Sequence, residues 1–232
     1  MILTAHQPVY LPWLGLFHKI ALADEYCIFD IAQYQTKDFN NRNKIKTNAG
    51  SIWLTVPVES KDHFTKQISA VKIINNGWNR KHLKSVTLAY KKAPYFEKYF
   101  PELEQLLSTE FQYLTELNTQ VLELFLRQLG IHVPMTRASA HTFAGAKSDL
   151  VLDMCVKLGA TDYIFGSQGR AYADSIAFVN KGVQPHFQDY QHPVYAQLHG
   201  AFEPYMSVID LLFNEGPRSF GILMSGNISS VR

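Results

Sequence analysis

The first thirty residues constrain the fold of this chain more than any other stretch. The apolar run Ile2-Leu3-Thr4-Ala5 predicts a short buried strand, and apolar residues at helical spacing between Leu14 and Leu22 predict a helix. A second apolar run, Tyr26-Cys27-Ile28-Phe29-Asp30, predicts another strand. A strand, a helix and a strand within about thirty residues make a βαβ unit, which implies a parallel sheet.

The rest of the chain continues this alternation of strand and helix patterns. Strand patterns cover residues 51–58, 70–74, 131–136, 161–165 and 183–190, and helical patterns cover residues 148–158, 171–180 and 204–213. Residues 77–130 are almost wholly helical in pattern. We therefore predict a single α/β domain over residues 1–232, with a mostly parallel Rossmann-like sheet flanked by helices. Residues 77–130 are expected to form a largely helical lobe inserted into that domain.

Composition and charge exclude several functional classes. Hydrophobic residues make up 47% and aromatic residues 13% of the 232 positions, which is enough for a packed core. The net charge is +2 with both signs mixed along the chain, so we expect no nucleic-acid partner. We also expect no membrane span, since no stretch approaches ~20 apolar residues, and no secretory signal. Cys27 and Cys155 lie in apolar runs, which favours buried free thiols and a cytoplasmic protein.

The segment HQPVYLPWLG directly follows the first predicted strand, and ligands of open parallel sheets bind beyond such strand ends. We predict that His6 is a general base there, because the histidine pKa lies near neutral pH; the alternative is a hydrogen bond to the loop backbone. Gln7 beside it offers a donor and an acceptor. Tyr10 and Trp13 either stack on a ligand or pack as core. Asp30, at the second strand end, either positions His6 and the substrate or forms a turn.

A polar segment, QYQTKDFNNRNKIKTNAG, follows the second strand and carries the densest polar cluster of the chain. Arginine suits bidentate phosphate contact and lysine adds a point charge, so the cluster predicts a site for the pyrophosphate of a nucleotide sugar or of coenzyme A. A solvated basic loop is the alternative. The candidate residues are Asn40, Arg42, Asn43, Lys44 and Lys46.

Gly166-Ser167-Gln168-Gly169 lies at a predicted strand-to-helix junction, where backbone N–H groups favour an anion. The segment lacks both the dinucleotide-binding glycine fingerprint and the lysine of a P-loop, so a plain tight turn is the alternative. Gly166, Ser167 and Gly169 are the candidate anion-binding residues, and Tyr172 and Asp174 follow them where either could face the same edge of the sheet.

These motifs, taken in order, resemble the WbqC-like family of bacteria. The resemblance rests on HQPVYLPWLG, IFD, NNRNKIK with SIWLTVPV, WNRKH, AYKKAPYF, YIFGSQGRAYAD and PYMSVIDLLFNEG, and it covers nearly the whole chain. The resemblance implies a role in modifying a nucleotide-linked sugar during assembly of surface polysaccharides such as O-antigen. It makes His82 a second acid/base candidate, although helical spacing with Trp78 and Tyr90 favours a structural histidine. It also includes Gln197 near its final segment among the candidate binding residues.

The leading hypothesis is an enzyme that transfers an acyl or aminoacyl group to an amine or hydroxyl of a nucleotide-linked sugar. His6 or His82 would accept the proton, Asp30 would position the acceptor, and the basic cluster would hold phosphates. The sequence does not identify the acyl donor, for which a thioester of coenzyme A or of an acyl carrier protein is a candidate. No metal is expected, because no histidine pair has ligand spacing. Two alternatives stay open: an ATP-dependent carboxylate–amine ligase related to nucleotidylyl transferases, and a non-catalytic nucleotide-sugar-binding protein.

Overall fold

The structure is a computed structural model that describes residues 1–59 and 66–226. The strands are β1 (Ile2–His6), β2 (Glu25–Ile28), β3 (Arg42–Thr47), β4 (Gly50–Thr55), β5 (Met135–Arg137), β6 (Asp162–Phe165) and β7 (Gln184–Phe187). The α-helices are α1 (Leu14–Ala21), α2 (Trp78–Tyr90), α3 (Phe96–Leu107), α4 (Leu114–Leu129), α5 (Ser148–Lys157), α6 (Ser175–Asn180), α7 (Val208–Glu215) and α8 (Ser219–Ser225).

Five strands form a parallel sheet in the order β5-β2-β1-β6-β7, which confirms the predicted Rossmann-like α/β fold. The chain moves outward from β1 through β2 to β5 on one side, and then returns to β6 and β7 on the other. The carboxyl ends of β1 and β6 therefore flank the point where the strand order reverses. Ligands of doubly wound sheets bind in the crevice at that point.

Two hydrophobic cores cover the two faces of this sheet. One contains residues of α1 and α7 together with the helices α2 to α4. The other packs α5 and α6 against β1 and β6, and it includes Cys27 and Cys155 as buried free thiols, as predicted. Gly130 ends α4 in the left-handed conformation at φ 72°, which glycine adopts at little cost.

Two sequence predictions about strands are wrong. The polar, basic segment after the second strand has no predicted strand, but it contains β3, which pairs with β4 as a separate antiparallel hairpin. Residues 70–74 are not a strand: the chain forms a 3-10 turn at Ile68–Ala70, and Lys72 and Ile73 make only isolated bridges. Lysine and asparagine disfavour strands locally, so β3 depends on the partner strand for its conformation.

The proline-rich segment after β1 is buried and held by the chain that leads into the hairpin. The Tyr10 N–H donates to the Phe39 carbonyl at 3.1 Å, and the Asn40 amide donates to the Pro8 carbonyl at 3.1 Å. The Asn43 amide donates to the carbonyl of Leu11 at 2.6 Å, where φ is +46°. These bonds fix the segment in one conformation, from which α1 begins.

Candidate functional site

A cavity of about 490 Å³ lies at the carboxyl ends of β1 and β6, where the strand order reverses. Its size is within the range of small-molecule sites, ~300–1,000 Å³. Predicted residues that line it are His6, Gln7, Trp13, Asn40, Gly166, Ser167, Gly169 and Tyr172. Lining residues that the sequence analysis did not single out include Lys19, Asp38, Phe39, Met154, Gln168 and Gln188.

His6 is placed in the cavity by the last position of β1. Its Nδ1–H donates to the Gln7 carbonyl at 2.8 Å, so Nε2 is the unprotonated nitrogen of the neutral ring. The ring lies edge-on to Trp13, with 5.4 Å between centroids. Burial, and then the nearby charge of Lys19, lower the pKa of His6 to about 4. At neutral pH the imidazole is therefore uncharged and can accept a proton at Nε2.

Lys19 is the lining residue with the most unusual environment. Lys19 lies on α1 and is buried, with the residue only 3% exposed. Its Nζ donates to the Ala5 carbonyl at 2.9 Å, and no carboxylate among the described residues forms an ion pair with it. Burial lowers its pKa to about 8. The sequence carries a signal for this position: Lys19 shares one face of α1 with Gly15 and Leu16 by its spacing, and a lysine on such an apolar face is unusual.

The turn after β6 forms the opposite wall of the cavity. A 3-10 turn at Ser167–Ala171 follows Gly166, and the Gly169 N–H donates to the Gly166 carbonyl at 2.9 Å. A Cβ on Gly169 would lie 2.5 Å from Cβ of Phe165, so this position requires glycine. Tyr172 is 46% exposed at the cavity mouth. Gly169 therefore shapes this wall through its close packing against Phe165.

A series of aromatic rings leads from the cavity to the hairpin. Trp13 and Phe39 have centroids 5.1 Å apart, and Phe39 and Trp53 have centroids 5.8 Å apart. Trp53 is 42% exposed, with the Arg42 guanidinium 4.3 Å and the Lys44 ammonium 5.2 Å from its ring centroid. Arg42 and Lys44 thus lie outside the cavity lining, at the outer end of this series.

Asp30 does not line the cavity. Its carboxylate accepts the Ser139 N–H at 2.8 Å and the Ser139 hydroxyl at 2.7 Å, and Arg137 is 3.7 Å away. Asp30 is 1% exposed. The carboxylate therefore joins the end of β2 to the turn after β5, as a structural carboxylate would.

His82 lies on α2 outside the cavity lining and pairs with Tyr10. The Tyr10 hydroxyl lies 3.0 Å from Nδ1 of His82, and the His82 ring also hydrogen-bonds the backbone of Thr55. Both side chains are buried, and burial lowers the pKa of His82 to about 4. This pair connects the proline-rich segment to the helical lobe.

Lys46 and Gln197 belong to a buried polar network away from the cavity. The Lys46 ammonium donates to the Gln197 amide oxygen at 3.0 Å, and the Gln197 amide donates to Asp210 at 2.7 Å. The hydroxyls of Tyr90 and Tyr195 donate to the same carboxylate at 2.9 and 2.8 Å. Burial raises the pKa of Asp210 despite these donors. The network fixes the segment after β7 against the hairpin.

The remaining predicted residues have local structural contacts. Asn43 holds the proline-rich segment, and Asp174 accepts the Ala177 N–H at 3.0 Å to cap α6. Within residues 1–59 and 66–226, no group of three His, Cys, Asp or Glu side chains converges in a metal-binding arrangement. No helix in the described part of the chain combines the length and apolar character needed to cross a membrane.

Comparison with known proteins agrees with the resemblance found in the sequence. A model of the WbqC-like protein family matches residues 7–222. The uncharacterized protein Rv1507c of Mycobacterium tuberculosis is 34% identical over 212 residues, which cover 90% of this chain and 92% of that protein. No solved structure matches. The chain belongs to the WbqC-like protein family.

Proposed function

We propose that this protein is a transferase that moves an acyl or aminoacyl group onto an amine or hydroxyl of a nucleotide-linked sugar, in surface-polysaccharide assembly. The observation that carries the proposal is the position of His6, with Nε2 unprotonated, in a cavity of about 490 Å³ where the strand order reverses. Such crevices bind nucleotides in other doubly wound folds. The family's association with glycoconjugate assembly supports the sugar as acceptor.

The chemistry follows from the groups present. The acceptor nitrogen or oxygen attacks the carbonyl carbon of an acyl thioester, and Nε2 of His6 takes the proton that the acceptor loses. The carbonyl oxygen gains negative charge, which backbone N–H groups of the turn after β6 are suited to stabilise. The carbon–sulfur bond then breaks, and the imidazolium returns the proton to the departing thiolate. The rings of Trp13 and Phe39 offer faces for a sugar or a base.

The cations outside the cavity extend this site. Arg42 and Lys44 lie beside Trp53, at the outer end of a row of rings that begins at His6. A nucleotide whose sugar lies near His6 can place its base against Trp53 and a phosphate near these cations. Asp30 and His82 have no part in this proposal, because both lie outside the cavity lining.

One observation favours a second candidate, nucleotide-sugar binding without chemistry. A histidine whose pKa is about 4 is a weak base at neutral pH, and general bases act best when their pKa is near the working pH. The two candidates differ in whether a product forms.

The test incubates the full chain with a panel of nucleotide-linked amino sugars and acyl thioesters, and detects the acylated sugar by mass spectrometry. We expect a product with the wild-type protein and a rate at least ~100-fold lower with His6→Gln. His132→Gln is the control, since His132 is exposed and lies outside the cavity. Binding of the sugar nucleotide without any product supports the second candidate. Consumption of ATP that depends on a carboxylate substrate would indicate a ligase instead.

A further inference from the structure

Lys19 presents a buried positive charge to the cavity without a negative partner among the described residues. Burying an ammonium group is costly unless an opposite charge accompanies it. The Lys19 ammonium has three N–H donors, and one of them is bonded to the Ala5 carbonyl. Two donors therefore remain for a ligand at the wall that carries His6.

The other titratable groups that line the cavity do not neutralise this charge. Asp38 is exposed at the mouth. Burial raises the pKa of Tyr163 and Tyr172, so both phenols are neutral. The polar groups on the remaining walls, including Gln7 and Gln188, are uncharged amides or hydroxyls. The cavity thus has an unbalanced positive charge next to its candidate base.

We propose that Lys19 binds a phosphate group of the ligand in this cavity, and that the bound anion makes His6 a stronger base. The choice of phosphate rests on the proposed function, in which the acceptor sugar is attached to a phosphate. Lys19 is a binding residue in this proposal, and it acts on catalysis through His6.

The coupling follows from the electrostatics of the two side chains. The charge of Lys19 is one of the two causes that lower the pKa of His6, after burial. An anion on Lys19 cancels this repulsion and favours the imidazolium. Because Nδ1–H stays on the Gln7 carbonyl, the proton is accepted at Nε2. The base is therefore weak in the empty cavity and strengthened when the ligand is bound.

The test uses NMR of the full chain with ¹³C-labelled histidine, and the His6 signal is assigned from its loss in His6→Gln. Inorganic pyrophosphate is the probe. We expect it to raise the midpoint of the His6 titration by about one pH unit or more. Lys19→Met should weaken pyrophosphate binding by roughly ten- to a hundredfold and abolish its effect on His6, while Lys19→Arg should retain both. Lys92→Met removes the same charge at an exposed position outside the cavity lining, and should leave the response of His6 intact.

The inference is wrong if pyrophosphate leaves the wild-type midpoint unchanged, or if Lys19→Met binds pyrophosphate as tightly as the wild type. The wild-type and Lys19→Arg measurements remain decisive if Lys19→Met does not fold. None of these readouts uses acyl transfer. A negative transfer assay together with a Lys19-dependent response therefore rejects only the proposed function. An active enzyme whose His6 ignores pyrophosphate rejects only this inference.

Discussion

At the residue scale, Asp30 and His6 show how neighbouring strand ends can serve different purposes. His6 faces the cavity, whereas the Asp30 carboxylate turns toward Ser139 and accepts both of its donors. The Asp30 N–H donates to the Ile28 carbonyl at 2.9 Å, so the chain turns at the end of β2. This turn directs the Asp30 carboxylate away from the cavity, although Asp30 lies at the same edge of the sheet as His6.

Asp30→Asn should therefore lower stability. The substitution removes a charge-assisted acceptor from the Ser139 N–H and hydroxyl, and the expected loss in the free energy of unfolding is about 1–3 kcal/mol. Urea denaturation measures it. Asp38→Asn, at an exposed carboxylate on the cavity rim, is the control and should change stability by less than ~0.5 kcal/mol. An Asp30→Asn protein of normal stability that has lost sugar-nucleotide binding would instead place Asp30 in the site.

At the element scale, the turn after β6 depends on one of its two glycines. Gly169→Ala would place a Cβ 2.5 Å from Cβ of Phe165, on a rigid strand, so we expect a loss of about 1–3 kcal/mol in stability and weaker nucleotide binding. Gly166→Ala is the matched control, because φ is −69° and no atom lies within 4 Å of the added carbon. Thermal unfolding measures the stability of the two variants. Equal stability of both variants would contradict the packing argument.

The β3–β4 hairpin supplies the outer end of the proposed nucleotide site. If a base stacks on Trp53, Trp53→Ala should weaken sugar-nucleotide binding by about 1–3 kcal/mol. Ile52→Ala is the control, because Ile52 is also exposed but successive strand residues point to opposite faces. Isothermal titration calorimetry measures both affinities. If the two substitutions weaken binding equally, or if Trp53→Ala does not weaken it, the hairpin is not part of the nucleotide site.

At the scale of the whole molecule, buried histidines link stability to pH. Burial lowers the pKa values of His6, His18 and His82 to about 4, from 6.5 in an unfolded chain. Between pH 6.5 and 4 the unfolded chain binds more protons, so stability should fall as the pH falls through this window. Each histidine contributes up to about 1.4 kcal/mol per pH unit. The raised pKa of Asp210 acts in the opposite direction.

Urea denaturation at a series of pH values, over the roughly 3 pH units below neutrality, measures how the free energy of unfolding depends on pH. His82→Gln should make the slope shallower by up to about 1.4 kcal/mol per pH unit, and His132→Gln, at an exposed site, should leave it unchanged. A stability that is constant over the whole window would show that these histidines can be protonated in the folded protein.

The βαβ start, the parallel sheet and the edge at which His6 lies follow from the amino-acid sequence alone, because strand and helix periodicity and element order are local properties. Which side chains meet at that edge depends on how distant segments pack. Arg42 and Lys44 were predicted to bind phosphate, but their distance from the cavity depends on pairing of β3 with β4. Lys19 was missed because α1 is covered by a distant part of the chain: the Gln188 side chain, after β7, donates to the Gly15 carbonyl at 2.8 Å. The positions of these side chains depend on long-range packing, which cannot be read from any short segment of the sequence.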